Sequence, residues 1–167
     1  MDADHPTPGG AYAKAECECC RIARERALDG TLHALGADWT INAEGGRTSR
    51  PRLIVQTRRH VADLADLRPE EATAFGLLLP AVVAAMTAAT GAERVYVLYL
   101  NETTPRHVHL RLVPRFRDDP ESSWGVGILY RPLADGHAAL PADEIAAYVA
   151  DIANAAARGQ LDEGRPR

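Results

Sequence analysis

The feature that most constrains the fold is the segment 106–115, in which apolar and polar residues alternate. This pattern is typical of a half-buried β-strand, whose successive side chains point to opposite faces of a sheet. The residues predicted to face a core are Val108, Leu110 and Leu112. The opposite face would carry His107, His109 and Arg111, a ridge that suits an anion such as phosphate. An edge strand with its polar face in water is the alternative, and Pro114 is expected to end regular pairing.

Length and composition predict one soluble globular domain. The chain has 167 residues, of which 46% are hydrophobic and 25% charged, enough for a proper core. A net charge of −4, with Lys14 as the single lysine, argues against general nucleic-acid binding. We find no apolar run near the ~20 residues of a membrane span and no signal-peptide pattern. We therefore expect a cytoplasmic protein, in which free or metal-bound thiols are more common than disulfides.

The order of predicted elements indicates an α+β domain at 11–157, between flexible tails at 1–10 and 158–167. Besides the histidine strand, strands are predicted at 38–43, 52–57, 94–100 and 127–132. Helices are predicted at 11–28, at 69–90 with a kink at Pro80, and at 141–157. We expect a hairpin between the first two strands and an antiparallel pair between the third and the histidine strand.

The first predicted helix contains all three cysteines of the chain. Cys17 and Cys20 form a C-x-x-C pair, which can bind Zn²⁺ if two further ligands come from elsewhere. Packing of the small thiol side chains on a helix is the alternative, and a thioredoxin-like redox pair is disfavoured because no strand precedes the motif. His60 follows a predicted strand, where functional side chains are common, although it could equally be an ordinary exposed histidine.

Taken together, these motifs resemble the histidine triad (HIT) superfamily of nucleotide hydrolases and transferases. The resemblance spans about 39–115 and rests on the segments 52–60, 63–71 and 107–115, the last of which is similar to the signature H-φ-H-φ-H-φ-φ-P-R. Cys17-x-x-Cys20 is similar to an N-terminal pair of many bacterial members. The resemblance implies a HIT-like fold, in which an antiparallel sheet packs with a long central helix and with N- and C-terminal helices. It also implies a homodimer, formed through the long helix and a strand edge.

The resemblance further implies nucleotidyl transfer. His109 matches the central histidine, which would attack an α-phosphorus and form a covalent nucleotidyl-histidine. The candidate catalytic residues are His107, His109 and Arg111. A closed and hence structural Cys₂His₂ zinc site is implied for Cys17, Cys20, His60 and His107, with Cys19 as a replacement for Cys20. The candidate substrate-binding residues are Ile41, Asn42, Leu53, Asn101 and Trp124. Strand capping by Asn42 and core packing by Trp124 are the alternatives.

Two departures separate the chain from the family pattern. Arg111 stands where the third triad histidine is expected, and the turn 101–105 replaces a Gly-Gln segment that contacts phosphate in the family. Because the pKa of arginine is above ~12, Arg111 is expected to stabilise charge rather than transfer protons. The leaving group should then need little protonation. Two alternatives stay open: a non-catalytic protein that binds a nucleotide or a partner, and a fold recruited to other metabolite chemistry.

Overall fold

The computed structural model describes residues 16–44, 51–102, 104–130 and 140–162, with the side chains of the last segment described to Arg158. The predicted tail at 1–10 and residues 163–167 of the predicted C-terminal tail lie outside these residues. The strands are β1 (His33–Leu35), β2 (Trp39–Ala43), β3 (Leu53–Thr57), β4 (Arg94–Leu98) and β5 (His109–Arg115). The α-helices are α1 (Glu18–Asp29), α2 (Pro69–Thr90) and α3 (Ala142–Asp162).

The strands form a five-stranded antiparallel sheet in the order β1-β2-β3-β5-β4. This arrangement confirms the α+β class, the hairpin of β2 with β3 and the pairing of β4 with β5. The short strand β1 was not predicted, because three residues are too few to show a period-two pattern.

The two faces of the sheet have different partners. One face packs against α2 and α3 in a single hydrophobic core. The strand residues of this core include Trp39, Ile41, Leu53, Val55, Leu110 and Leu112. The opposite face contacts α1. Gln56 Nε2 on this face donates a 3.4 Å hydrogen bond to the carbonyl oxygen of Cys19 in α1. Since side chains alternate along a strand, the second face receives Asn42 and Ile54 as well as His109 and Arg111.

Several predicted element boundaries were wrong. Residues 11–15 of the first predicted helix lie outside the described residues, and α1 begins only at Glu18, because Cys17 has an extended backbone (φ −81°, ψ 121°). Strand β5 continues through Pro114, which pairs with Val95 of β4. The backbone nitrogen of Pro114 points towards β3, and the β3–β5 pairing has already ended at Leu112. Proline therefore costs no ladder hydrogen bond there. Residues 125–130 form a 3₁₀-helix instead of a strand, and α3 extends to Asp162.

Helix α2 corrects one expectation drawn from composition. By length and composition alone it could cross a membrane, although no such run was recognised in the sequence. The core helix of a soluble protein meets the same criteria, and α2 contributes Leu78, Val82 and Met86 to the core. Only 17% of its most apolar 18-residue window is buried, however. Several apolar side chains of α2 are therefore only partly covered in the single chain, and Leu77 is 57% exposed.

The first turn of α2 is held by Glu71, whose side chain is 3% exposed. Its carboxylate accepts hydrogen bonds from Arg59 Nε at 2.9 Å and Arg59 Nη2 at 2.7 Å. It also accepts one from the backbone N–H of Arg68 at 2.8 Å. The hydrogen bonds from Arg59 are the main cause that lowers the pKa of Glu71 below its ordinary value. The pair thus joins the end of β3 to the start of α2.

Replacing Glu71 by glutamine is expected to lower the free energy of unfolding by about 1–2 kcal/mol at pH 7, because it leaves the partly exposed Arg59 without its carboxylate. The lowered pKa means that this stabilisation is complete above the unfolded value of about 4.3 and is lost as pH falls through the folded value. We expect urea denaturation at a series of pH values to show that the free energies of unfolding of wild type and Glu71→Gln become equal in acid. Glu70→Gln, in the same turn but exposed, is the control. If Glu71→Gln stayed less stable than wild type by the same amount in acid, the stabilising role of the ionised Glu71 carboxylate would be contradicted.

Candidate functional site

Four side chains from three parts of the chain converge on one point. Their ligand atoms all lie within 4.8 Å of one another, and the set consists of Cys17, Cys20, His60 and His107. Nδ1 of His107 lies 3.5 Å from Sγ of Cys17 and 3.4 Å from Sγ of Cys20. Nδ1 of His60 lies 3.5 Å from Sγ of Cys20. The structure therefore brings together the four residues that were predicted as metal ligands.

The geometry of this cluster fits a tetrahedral metal ion. With usual Zn–S and Zn–N bond lengths, a tetrahedral site separates sulfur from nitrogen by about 3.5 Å, close to the three distances observed. Nε2 of His107 lies 2.9 Å from the carbonyl oxygen of Thr57, to which it donates its proton. Nδ1 then presents its lone pair to the thiols. Burial lowers the pKa of His107 to about 4, which keeps the imidazole in the neutral form that binds metal.

The third thiol, Cys19, lies outside this cluster. Its Sγ is 3.7 Å from Nδ1 of His109. Successive residues of a helix point about 100° apart, so Cys19 faces His109 whereas Cys20 faces His107. Burial raises the pKa of Cys19 to about 11, which leaves an uncharged thiol near neutral pH. The geometry therefore does not support Cys19 as the replacement for Cys20.

His109 is a nearly buried imidazole with a defined tautomer. Its Nδ1 lies 2.8 Å from the carbonyl oxygen of His107 and donates its proton to that oxygen. The lone pair is then on Nε2. The side chain lines a cavity of about 410 Å³ between α1 and the second face of the sheet. An imidazole whose Nδ1 is held by a carbonyl and whose Nε2 lone pair is available on a cavity wall is chemically suited to act as a nucleophile.

The sheet wall of this cavity includes Asn42, Ile54, Gln56, His109 and Arg111. Asn42 is 2% exposed, and its Nδ2 has no hydrogen-bond partner among the described residues. Because a buried donor without a partner is costly, this amide is suited to a ligand oxygen. Asn42, His109 and Arg111, all predicted from the sequence, thus share one cavity.

The predicted pocket roles of Ile41 and Leu53 were wrong. Both side chains are fully buried in the core that faces α2 and α3. Because side chains alternate along a strand, the cavity receives their neighbours Asn42 and Ile54 instead. The prediction identified the correct strands but the wrong face.

Two other predicted binding residues lie away from the cavity lining. Asn101 Nδ2 donates to the carbonyl oxygen of Ala62 at 2.6 Å, and its Oδ1 accepts from the backbone N–H of His107 at 3.3 Å. Asn101 therefore positions the segment that carries His107. Trp124 is 47% exposed, and its ring lies 4.8 Å from the guanidinium of Arg115. The cavity lining includes neither side chain.

Sequence reasoning missed Glu44, which is also part of the cavity lining. Its Oε1 lies 3.3 Å from Nε of Arg111. Arg111 is therefore not the uncompensated cation that the strand pattern suggested. Strand register was the signal that could have revealed Glu44, because Asn42 pairs with Ile54 and Ile54 pairs with Arg111. Glu44 follows Asn42 by two residues, which indicates the same face.

Comparison with known proteins identifies the fold. No family model and no curated protein matches the chain. Among solved structures, a histidine triad protein from Sinorhizobium meliloti matches with a TM-score of 0.55 and 21% identity, over 78% of this chain and 93% of that one. A hypothetical histidine triad nucleotide-binding protein from Sulfolobus tokodaii matches with a TM-score of 0.57 and 12% identity, over 81% and 89%.

A Zn-bound histidine triad family protein from Mycobacterium smegmatis is a third structural match. Its TM-score is 0.54 and its identity 19%, over 90% of this chain and 98% of that one. Identities this low establish similarity of fold rather than of activity. The chain therefore has a HIT-like fold.

Proposed function

We propose that this protein is a nucleotide hydrolase or nucleotidyltransferase that acts at an α-phosphate through a covalent nucleotidyl-histidine on His109. The observation that carries the proposal is the anchored imidazole on the cavity wall, with Nδ1 bound to the carbonyl of His107 and the lone pair on Nε2. The description of the Sulfolobus tokodaii protein as nucleotide-binding supports a nucleotide as the ligand.

The proposed reaction has two displacements at phosphorus. Nε2 of His109 forms an N–P bond while the leaving group departs with its electron pair. Water or another acceptor then attacks the phosphorus and releases its proton to solvent, the N–P bond breaks, and the imidazole regains its lone pair. The hydrogen bond from Nδ1 to the carbonyl of His107 stabilises the positive ring during the intermediate stage. Arg111 stabilises the charge on the phosphoryl oxygens, and Asn42 donates to a ligand oxygen.

Turnover by Arg111 variants tests this proposal. Arg111→Ala is expected to reduce kcat/KM for nucleotidyl substrates with phosphate or carboxylate leaving groups by about 100-fold, because one charged donor to the phosphoryl group is lost. Arg111→Lys should keep part of the activity, since it retains the charge but not the bidentate geometry. Activities of wild type and Arg111→Ala that agree within twofold would exclude the assigned role of Arg111.

For the metal, we propose a structural zinc ion held by Cys17, Cys20, His60 and His107. The donor set and the Zn-bound protein from Mycobacterium smegmatis support zinc. All four ligands are protein side chains, so the ion would supply no open position for substrate. Its contribution would be to join α1 to the segment before β5, and thereby to fix the strand that carries His109.

We also propose a homodimer, formed through α2 and the edge strand β4. The exposed Leu77 and the partly covered apolar side chains of α2 support it, and β4 pairs with β5 on one side only among the described strands. A cytoplasmic location is part of the same proposal. The three cysteines form no disulfide with one another, which suits a reducing compartment.

A non-catalytic nucleotide-binding protein is the second candidate. The observation that favours it is the ion pair of Arg111 with Glu44, which lowers the net positive charge at the phosphate position. This candidate predicts nucleotide binding without turnover and without a covalent intermediate, so the assay of Arg111 variants discriminates between the two.

A further inference from the structure

Glu44 places a negative charge beside the cation that would bind the substrate phosphate. Its Oε1 lies 3.3 Å from Nε of Arg111, and its Oε2 lies 3.9 Å from Nη1 of Arg52. Oε2 has no hydrogen-bond partner among the described residues. The Glu44 side chain is only 21% exposed, so solvent screens its charge weakly.

The position of Glu44 is fixed by the sheet. Its backbone N–H donates a 2.8 Å hydrogen bond to the carbonyl oxygen of Arg52, which continues the β2–β3 ladder beyond the last paired residues. Asn42, two residues earlier, lies on the same cavity wall. The backbone that carries the Glu44 carboxylate is therefore held by the same sheet that forms the cavity wall.

The acidic side chains on the α1 side of the cavity have other partners. Glu18 and Glu25 each lie 2.6 Å from a guanidinium nitrogen of Arg21. Asp29 accepts a hydrogen bond from the backbone N–H of Thr31 at 2.9 Å. Among the acidic residues of the described lining, Glu44 is thus the one paired with Arg111.

We propose that Glu44 is a charge-selecting residue, which makes the cavity favour nucleotidyl compounds with one negative charge on phosphorus over nucleoside monophosphate dianions. This inference rests on the proposed function. Without Glu44, Arg111 would attract the second negative charge of a dianion more strongly, whereas the carboxylate 3.3 Å from its Nε offsets part of that attraction. Hydrolysis turns a monoanionic phosphoryl group into a monoester whose second pKa is about 6. Glu44 therefore also promotes product release.

The test measures the affinities of two probes by calorimetry at pH 7.5. The dianionic probe is adenosine 5′-monophosphate, the monoanionic probe is its methyl ester, and the guanosine pair is measured in parallel. Glu44→Gln is expected to shift the affinity ratio about tenfold towards the dianion. Glu44→Asp should keep the wild-type ratio within about threefold, because it retains the charge. Glu25→Gln, which removes an equal charge already paired with Arg21, is the matched control and should change the ratio less than twofold.

The possible results distinguish a failure of the role of Glu44 from a failure of the proposed function. A ratio that is unchanged in Glu44→Gln, or shifted equally in Glu25→Gln, overturns the role of Glu44 and leaves the proposed function intact. Failure of wild type and Glu44→Gln to bind any of the four probes, with thermal denaturation showing both proteins folded, overturns the proposed function, and the inference fails with it.

Discussion

Replacing Cys20 by serine is expected to remove zinc from the purified protein and to lower its melting temperature by at least about 10 °C. The Cys20 Sγ lies 3.4 Å from Nδ1 of His107 and 3.5 Å from Nδ1 of His60, so this sulfur contacts both imidazoles. Loss of one ligand from a closed four-ligand site removes most of the affinity for the metal. Because the site exists only in the folded chain, the binding free energy of the metal stabilises the fold and is lost with it. A 10 °C shift corresponds to about 3–4 kcal/mol in a chain of this size.

Cys19→Ser is the matched control for this prediction. The residue is adjacent in sequence and also buried, but its sulfur contacts His109 rather than the cluster. It should retain wild-type zinc and lose little stability. Elemental analysis of untagged protein purified without chelator, together with thermal denaturation, measures both quantities. Equal zinc loss in the two variants, or full zinc content in Cys20→Ser, would contradict the assigned ligand set.

Replacing His109 by alanine is expected to reduce kcat at least about 1,000-fold for any nucleotidyl substrate that wild type turns over. The side chain is the proposed nucleophile, and it is the one imidazole among the described residues that line the cavity. His109 is not one of the four clustered ligands, so the variant should keep its zinc. Retained zinc then serves as the internal check that the fold is intact.

His33→Ala is the control for the loss of a histidine. His33 lies on β1 at the sheet edge, away from the cavity lining, and its removal should leave turnover unchanged. Steady-state kinetics with matched protein concentrations measures the effect. A His109→Ala protein that keeps its zinc and retains more than about a tenth of wild-type kcat would exclude His109 as the nucleophile.

The sequence predicted those parts of the site that depend on local spacing. His109 and Arg111 were predicted from the alternation along one strand, and Cys17 and Cys20 from their C-x-x-C spacing, although Cys17 lies just before α1 with an extended backbone. The Arg111–Glu44 contact depends on the register of three strands, which alternation within a single strand does not specify. For the same reason, Ile41 and Leu53 were assigned to the wrong face.

Fold prediction failed mainly where local pattern competes with tertiary contacts. A continuous helix from Ala11 was predicted because Ala, Glu and Arg favour helices. Cys17, however, has an extended backbone that turns its thiol towards His107. Likewise, Gly127 was assigned to a strand, but its N–H donates to the carbonyl of Trp124 at 3.1 Å in a 3₁₀ turn. Propensity alone does not report such contacts.

Intact-protein mass spectrometry tests the central claim most directly. Wild type, His109→Ala and Arg111→Ala would be mixed briefly with adenylylated and guanylylated substrates and quenched. The proposal predicts a mass increase of one nucleotide in wild type and none in His109→Ala, which would also identify the preferred base. Nucleotide binding by wild type with no adduct and no turnover, across dinucleoside polyphosphates, phosphoramidates and nucleotide sugars, would contradict the claim and favour a non-catalytic binding protein.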